Sequence, residues 1–344
     1  MESEGRVAAS KSNKVGPSSI LRRGQGIIRG HSSAAPSGAS AEHRGKVIHL
    51  GHLRHLRIKA LAFVFLSGTI LPATAQVPAE TDSINPRRAW LVAGGTAAFA
   101  TGSLIALNEA WYKGHDRTTF HGFDDGDEWY QVDKLGHAHS SYQLGRAGHA
   151  AFRWAGLNEK VSTWVGGSVG LLYLTGIEYL DGHSSAYGFS GWDMAANGAG
   201  AALFIGQQLG WHEQRILLKW SAHPTDFAAQ RPDVLGSTLS EQLLKDYNGT
   251  TVWLSANPHA FGWKAMPIWL NFSAGMGAEG MLNARSNPGS YRQYYLAPDI
   301  AFSRIPTRSK AVRTLFFMLD ALKMPTPAIE FRSNGDVRGH WLYF

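Results

Sequence analysis

Trp90 to Leu107 runs for eighteen residues without a charge, between Arg87-Arg88 and Glu109, long enough for a short transmembrane helix. Within it Gly94, Ala98, Gly102 and Ala106 recur every four residues, which on a helix forms one ridge of small side chains where a second helix can approach closely. A second uncharged run, Val161 to Ile177, contains Gly166 and Gly170, and a third segment repeats the spacing with Gly198, Ala202, Gly206 and Gly210. Asp133 to Leu157 is also helical by pattern and carries Gly136, Gly145 and Gly148. These segments predict a tight bundle of four or more helices over residues 86–222.

After Trp220 the pattern changes. Pro224, Pro232 and Pro258 interrupt the chain, and a short helix near Ser237 to Tyr247 ends at Asn248-Gly249, a C-cap signal. Alternation with a period of two follows in Ile268 to Leu282 and again in Tyr291 to Ile305, as in strands. A helical stretch, Ser309 to Leu322, separates these from Ala328 to Phe344, where Asn334-Gly335 supplies the turn of a hairpin. The fold class read from the pattern is α+β, mainly α: a Gly-rich helical bundle, then a small antiparallel β region over residues 223–344 with a C-terminal hairpin.

The front of the chain reads differently. Residues 1–45 are rich in Ser, Gly, Ala and Arg without apolar periodicity, which predicts disorder or an extension from a misassigned start. Arg54, Arg57 and Lys59, the apolar run Ala60 to Leu71 and then Pro72-Ala73-Thr74-Ala75-Gln76 have the three parts of a signal peptide, placed at residues 46–75. Cleavage after Ala75 would leave Gln76 as the mature start; a retained signal anchor is the rival reading. Export to the periplasm or outer membrane of a Gram-negative cell follows.

Composition narrows the function. Of 33 Lys and Arg, eleven lie in residues 1–75 against three acids, leaving 22 basic and 23 acidic residues beyond, so the formal charge of +7 belongs to the leader and nucleic acid is not an expected partner. Only 17% of residues are charged, with 39 Gly and 12 Trp, and this points to membrane lipid or other envelope proteins as partners. Cysteine is absent, which excludes disulfides, thiolate catalysis and a lipidated cysteine within these residues.

Charged residues inside apolar helices each need a partner. Asp133 and His137 lie four apart on one helix face, with Lys134 beside them; Glu178 ends the second apolar run, with Asp181 three residues on; Asp193 and Asn197 are again four apart. Convergence of these pairs would build an acid-base site from Asp133, Lys134, His137, Glu178, Asp193 and Asn197. No organic cofactor is expected, and Asp133, His137, Glu178 and Asp193 form a set that a divalent metal can use. A structural reading stands beside this one: Ser190-x-x-Asp193 as a capping box, His137 and Asn197 bonded to backbone carbonyls, Lys134 paired with Glu178. Asp181, beside Gly182 near a helix end, is expected to face water.

Asp133-Lys134-x-x-His137, Tyr142, Glu178 and Asp193-x-x-x-Asn197-x-x-Gly200 resemble the signature of VanZ-like membrane proteins. Residues 108–244 are similar to the YfiM-type domain of unknown function, whose members are predicted periplasmic lipoproteins. The runs NEAWY, DKLGHA, EYLDG, DMAANGAG and LLKDYNGTTVWLS carry this likeness. The resemblance implies an envelope protein and no particular reaction, and with no cysteine to lipidate, attachment must come from the chain's own helices or strands.

Asp124-Asp125-Gly126-Asp127-Glu128 lacks EF-hand spacing and reads as a solvated turn, and His115 and His121 match no zinc pattern. The terminal Trp341-Leu342-Tyr343-Phe344 ends as outer-membrane barrels do, but four or five strands favour a small sheet on the bundle. No nucleophile elbow is present. The first functional reading is an envelope protein whose bundle lies against or within a membrane in a structural, lipid-contacting or assembly role. The alternative is a metal-dependent or acid-base hydrolase acting on a lipid or cell-wall precursor.

Overall fold

The computed structural model describes residues 83–112, 115–285 and 287–344. The expected signal peptide and the segment 1–45 lie outside the described residues. Pro86–Leu107 forms α1; Asn85 caps it by accepting from Arg88 N, and Pro86 at the first position loses no hydrogen bond there. A π-helical turn, Asn108–Tyr112, follows. The bundle continues with α2 (Val132–Trp154), α3 (Glu159–Gly167), α4 (Val169–Asp181) and α5 (Gly191–Trp211). Two short strands, β1 (Gly122–Phe123) and β2 (Phe189–Ser190), pair in parallel and bring the loop after β1 to the start of α5.

Three expectations are corrected here. The apolar run Val161 to Ile177 is not one helix, because the chain breaks between α3 and α4 at Ser168, after Gly166-Gly167. The ridge on α1 is no seam: a Cβ on Gly94 or Gly102 would meet nothing within 4 Å. Nor is the stripe Gly198, Gly206 and Gly210 on α5. The close contacts run instead through α2. A Cβ on Gly148 would lie 2.4 Å from Gly166 O, one on Gly170 2.2 Å from Ser141 O, and one on Gly200 2.1 Å from Ala138 O. Glycine at these points lets α3, α4 and α5 each press backbone against α2.

The sheet is a six-stranded antiparallel meander: β3 (Ile216–Ala222), β4 (Thr250–Ala256), β5 (Leu270–Glu279), β6 (Tyr291–Ile300), β7 (Thr326–Arg332) and β8 (Val337–Tyr343). Its first strand precedes residue 223, so the sheet begins inside the stretch that reads as bundle. Three short helices, α6 (Phe227–Gln230), α7 (Pro232–Leu235) and α8 (Leu239–Lys245), lie between β3 and β4. A further one, α9 (Lys310–Leu319), precedes β7. The β7–β8 hairpin turns at Asn334-Gly335, where Gly335 takes a φ of +96°. Bundle and sheet share one core of Tyr142, Phe204 and Ile205 against Leu217, Leu218 and Val252.

The glycine contacts give a paired expectation. Gly200→Ala must push a methyl into the Ala138 carbonyl and is expected to cost about 1–3 kcal/mol or more. Gly206→Ala, on the exposed side of the same helix, is expected to be neutral or to stabilise by up to about 1 kcal/mol. Urea denaturation of both variants checks this, and equal effects would remove the steric account.

Candidate functional site

The approach of α4 and α5 to α2 brings Asp133, Lys134, His137, Glu178, Asp193 and Asn197 into one cluster. Lys134 is its centre. Its Nζ lies 2.5 Å from Asp125 Oδ2, 3.0 Å from Asp133 Oδ2 and 2.8 Å from Asp193 Oδ1. Beside it His137 sits between helices: Nδ1 is 3.2 Å from Asn197 Oδ1 and 3.9 Å from Glu178 Oε1, and Nε2 is 3.8 Å from Asp193 Oδ1. One donor atom each of Asp133, His137 and Asp193 lies within 4.8 Å of the others.

Ser190 ties these groups together. As N-cap of α5 its Oγ accepts from Asp193 N at 3.0 Å, and the same hydroxyl donates to Asp125 Oδ1 at 2.6 Å. Its backbone N–H donates to Glu178 Oε2 at 3.1 Å. The capping reading of Ser190-x-x-Asp193 therefore holds for the hydroxyl, while the Asp193 carboxylate faces the cluster instead of closing the box.

The structure departs from sequence reasoning in several places. Lys134 pairs with three aspartates and not with Glu178. Asp125 is buried, so the acidic loop is not simply a solvated turn; only Asp124 and Asp127 of its aspartates face water. Asp181 is half-buried and accepts from Tyr112 OH at 2.6 Å, so it is no surface residue. Tyr247, which follows α8, donates to Asp133 Oδ1 at 2.5 Å. Sequence reasoning places Ser190 only as a cap and does not reach Tyr247 or Tyr112 as partners; the one sequence signal for Asp125 is four acids in five positions just ahead of Lys134.

The backbone entering the cluster is strained. Trp129, Tyr130 and Gln131 take φ of 48°, 53° and 64°, a left-handed turn that costs non-glycine residues roughly 1–2 kcal/mol each. The turn lies between Asp125 and α2, and Trp129 packs its ring on Tyr247 at 5.4 Å.

Burial and charge sort the acids into two groups. Burial pushes Glu178 up to about 7, with Asp193 adding and His137 opposing. Burial likewise raises Asp193 to about 6, against the pull of His137 and Lys134, and Asp181 to about 6. For Asp125 and Asp133 burial acts upward too, but Lys134 and the surrounding donors outweigh it and hold both carboxyls below the ordinary aspartate range. Burial disfavours the His137 imidazolium, yet Asp133, Asp193 and Glu178 together raise its pKa. His137 thus lies within 4 Å of two carboxyls, Glu178 and Asp193, whose pKa values burial moves toward neutral.

A family described as a predicted periplasmic lipoprotein, DUF2279, matches residues 122–206. That stretch holds Asp125 and the whole set from Asp133 to Asn197. No curated protein and no solved structure matches the chain.

Two variants test the cluster. Lys134→Met leaves Asp125, Asp133 and Asp193 without their shared cation and is expected to cost about 3–5 kcal/mol by chemical denaturation. For Glu178 the sign follows from its raised pKa. Between its ordinary value of 4.5 and about 7 the folded state keeps a proton that the unfolded state has lost, so its contribution to stability falls as pH rises through that window. Glu178→Gln lacks this loss and is expected to gain roughly 1–3 kcal/mol relative to wild type between pH 4.5 and pH 7.5. A pH-independent offset between the two proteins would overturn the assignment.

Proposed function

We propose that this is a cell-envelope protein held at a membrane by α1, with a structural, lipid-contacting or assembly role. The observation that carries this reading is the exposure of α1. Among the described residues it is the one helix long and apolar enough to cross a bilayer, and only 11% of its most apolar window is buried. A core helix of a soluble domain hides such a face, whereas Trp90, Leu91 and Ile105 are all more than 60% exposed here. The α3 and α4 surfaces add Trp164, Val165 and Leu172. Export to the periplasm or outer membrane agrees with the description of the matching family. The 344 residues contain no cysteine to carry a lipid, so the chain itself must supply the attachment.

The gathered cluster favours a second reading, an acid-base or metal-dependent hydrolase acting on a lipid or cell-wall precursor. His137 would transfer the proton, Glu178 and Asp193 would set its charge, and Lys134 would hold an anionic group. Asp133, His137 and Asp193 offer a divalent ion three donors, with Asn197 orienting the imidazole through Nδ1. Such an ion competes with the Lys134 ammonium, which already lies within 3.0 Å of both carboxylates.

Carbonate extraction of cells expressing the full chain tests the first reading. The protein is expected in the membrane pellet, and Ala98→Asp, which places a charge mid-helix at a cost of roughly 2.5–3.5 kcal/mol, is expected to release it. Wild type found entirely in the supernatant would sink the reading. Elemental analysis of the purified chain and the envelope phenotype of His137→Ala test the second: absence of metal together with an unchanged phenotype leaves the first reading alone.

A further inference from the structure

We infer that the outer wall of the six-stranded sheet is a lipid-contacting surface, resting in the acyl region of a bilayer independently of α1. The inference shares the membrane reading above but stands on other residues.

The sheet is inside out for a protein bathed in water. Along β3 to β7, the buried set of alternate side chains is largely polar: Lys219, Ser255, Asn271, Gln293, Asp299 and Glu330 are each 5% exposed or less, around a smaller cluster of Trp253, Tyr295, Ala297 and Ala328. The polar groups satisfy one another. Lys219 Nζ lies 2.9 Å from Asp299 Oδ2, Ser255 Oγ donates to Asp299 at 2.6 Å, and Gln293 Nε2 donates to Glu330 at 2.9 Å. The other set points outward and is apolar: Leu254, Phe272, Tyr294, Leu296, Ile329 and Phe331 are 39–54% exposed. In register these make cross-strand rows Leu254–Ala274–Leu296–Ile329 and Met276–Tyr294–Phe331–Val337, without one charge. Apolar-out, polar-in alternation is the pattern of strands whose solvent is hydrocarbon.

The sheet also curls as a barrel wall does. Tyr343 on β8 reaches back to Thr251 on β4, hydroxyl to hydroxyl at 3.0 Å, and stacks near Tyr295 at 4.3 Å. Residues 321–323 bond to the backbone of Trp220 on β3, His139 of α2 meets the Ala321 carbonyl, and His223 after β3 lies 3.1 Å from the carbonyl of Phe344 after β8, so the two edges of the sheet converge. The outward face of β5 to β7 carries the exposed apolar rows. Its longest strands, β5 and β6, have ten residues each, within the roughly 9–11 that a tilted strand needs to cross a bilayer. Charges lie at both rims, Glu279, Arg292, Arg332 and Asp336 at one and Arg215 and Lys264 at the other, where Trp263, Trp269 and Trp341 are exposed as well. That is the order of head groups, hydrocarbon and interfacial aromatics.

Fluid lipid suits this surface better than a second copy of the chain. A ten-residue apolar band between two rims that carry charged and aromatic side chains matches the layering of a bilayer, which a second copy of the chain does not require.

The absence of cysteine makes the test direct. Single cysteines at Leu296 and Ile329 on the wall, Leu91 on α1 and Ala229 on α6 are labelled with an environment-sensitive fluorophore. The full chain is then reconstituted in phosphatidylethanolamine–phosphatidylglycerol vesicles with brominated acyl chains, each variant first matched to wild type by circular dichroism. The labels at 296 and 329 are expected to lose fluorescence to the bromines as the Leu91 label does, while the Ala229 label responds only to aqueous iodide. Quenching at 91 with none at 296 and 329 overturns the sheet proposal and leaves membrane attachment standing. Quenching at none of the three overturns both. Labels at 296 and 329 shielded from bromine and iodide alike indicate a protein cover, and that result also overturns the proposal.

Discussion

The backbone contact of three helices with α2 is the constraint on which the site depends. Where a side chain would normally keep helix axes 8–10 Å apart, Gly170 and Gly200 let carbonyls of Ser141 and Ala138 occupy the space of a missing Cβ. Those two carbonyls lie one turn or less from His137. The residues carried on the approaching helices, Glu178 on α4 and Asp193 and Asn197 on α5, are thereby delivered to His137 and Lys134. Any larger residue at either glycine moves the carboxylates outward along with the backbone that carries them.

Such close approach creates an electrostatic problem that the cluster solves by sharing. Five carboxyl groups meet two basic side chains, so not all five acids can be ionised without uncompensated buried charge. Asp125 and Asp133 keep their charge because Lys134 touches both and because Ser190 and Tyr247 donate to them. Glu178, Asp181 and Asp193 carry the remainder as raised pKa values. The same crowding that holds the helices together therefore moves the pKa values of three of the acids toward neutral.

Much of this was legible in the sequence, and the misses share a cause. Helix and strand periods marked α1, α2, α5, β5, β6 and the final hairpin, and spacing of four placed Asp133 with His137 and Asp193 with Asn197. What spacing could not tell was which glycines face a neighbour. Gly198 and Gly200 differ by two positions, roughly 200° around a helix, so the regular stripe at 198, 206 and 210 lies opposite the contact and the single Gly200 makes it. Asp125 reaches Lys134 because β1 pairs with β2, sixty-odd residues away, and Tyr247 arrives from 114 residues beyond Asp133. Neither pairing leaves a local trace. The outer wall shows the reverse case: alternation was visible, but not which phase faces out, since that requires knowing where the polar set finds its partners.

α2 joins these two halves through its opposite faces. Lys134, His137 and Ser141 turn toward the bundle, while His139 meets the Ala321 carbonyl and Gln143 donates to the Leu218 carbonyl on the sheet side. From Arg146 a line of charge runs inward: Arg146 lies 3.8 Å from Asp320, Asp320 3.9 Å from Lys219, and Lys219 2.9 Å from Asp299. Each of these groups is at most 5% exposed, so removing one leaves its neighbours with buried charge that chiefly backbone and hydroxyl partners offset. A sheet with that interior cannot be assembled without the helix that supplies Arg146, and a helix with that polar face cannot be buried without the sheet. α2 thus contributes side chains both to the polar cluster and to the polar interior of the sheet, although the two lie on different elements.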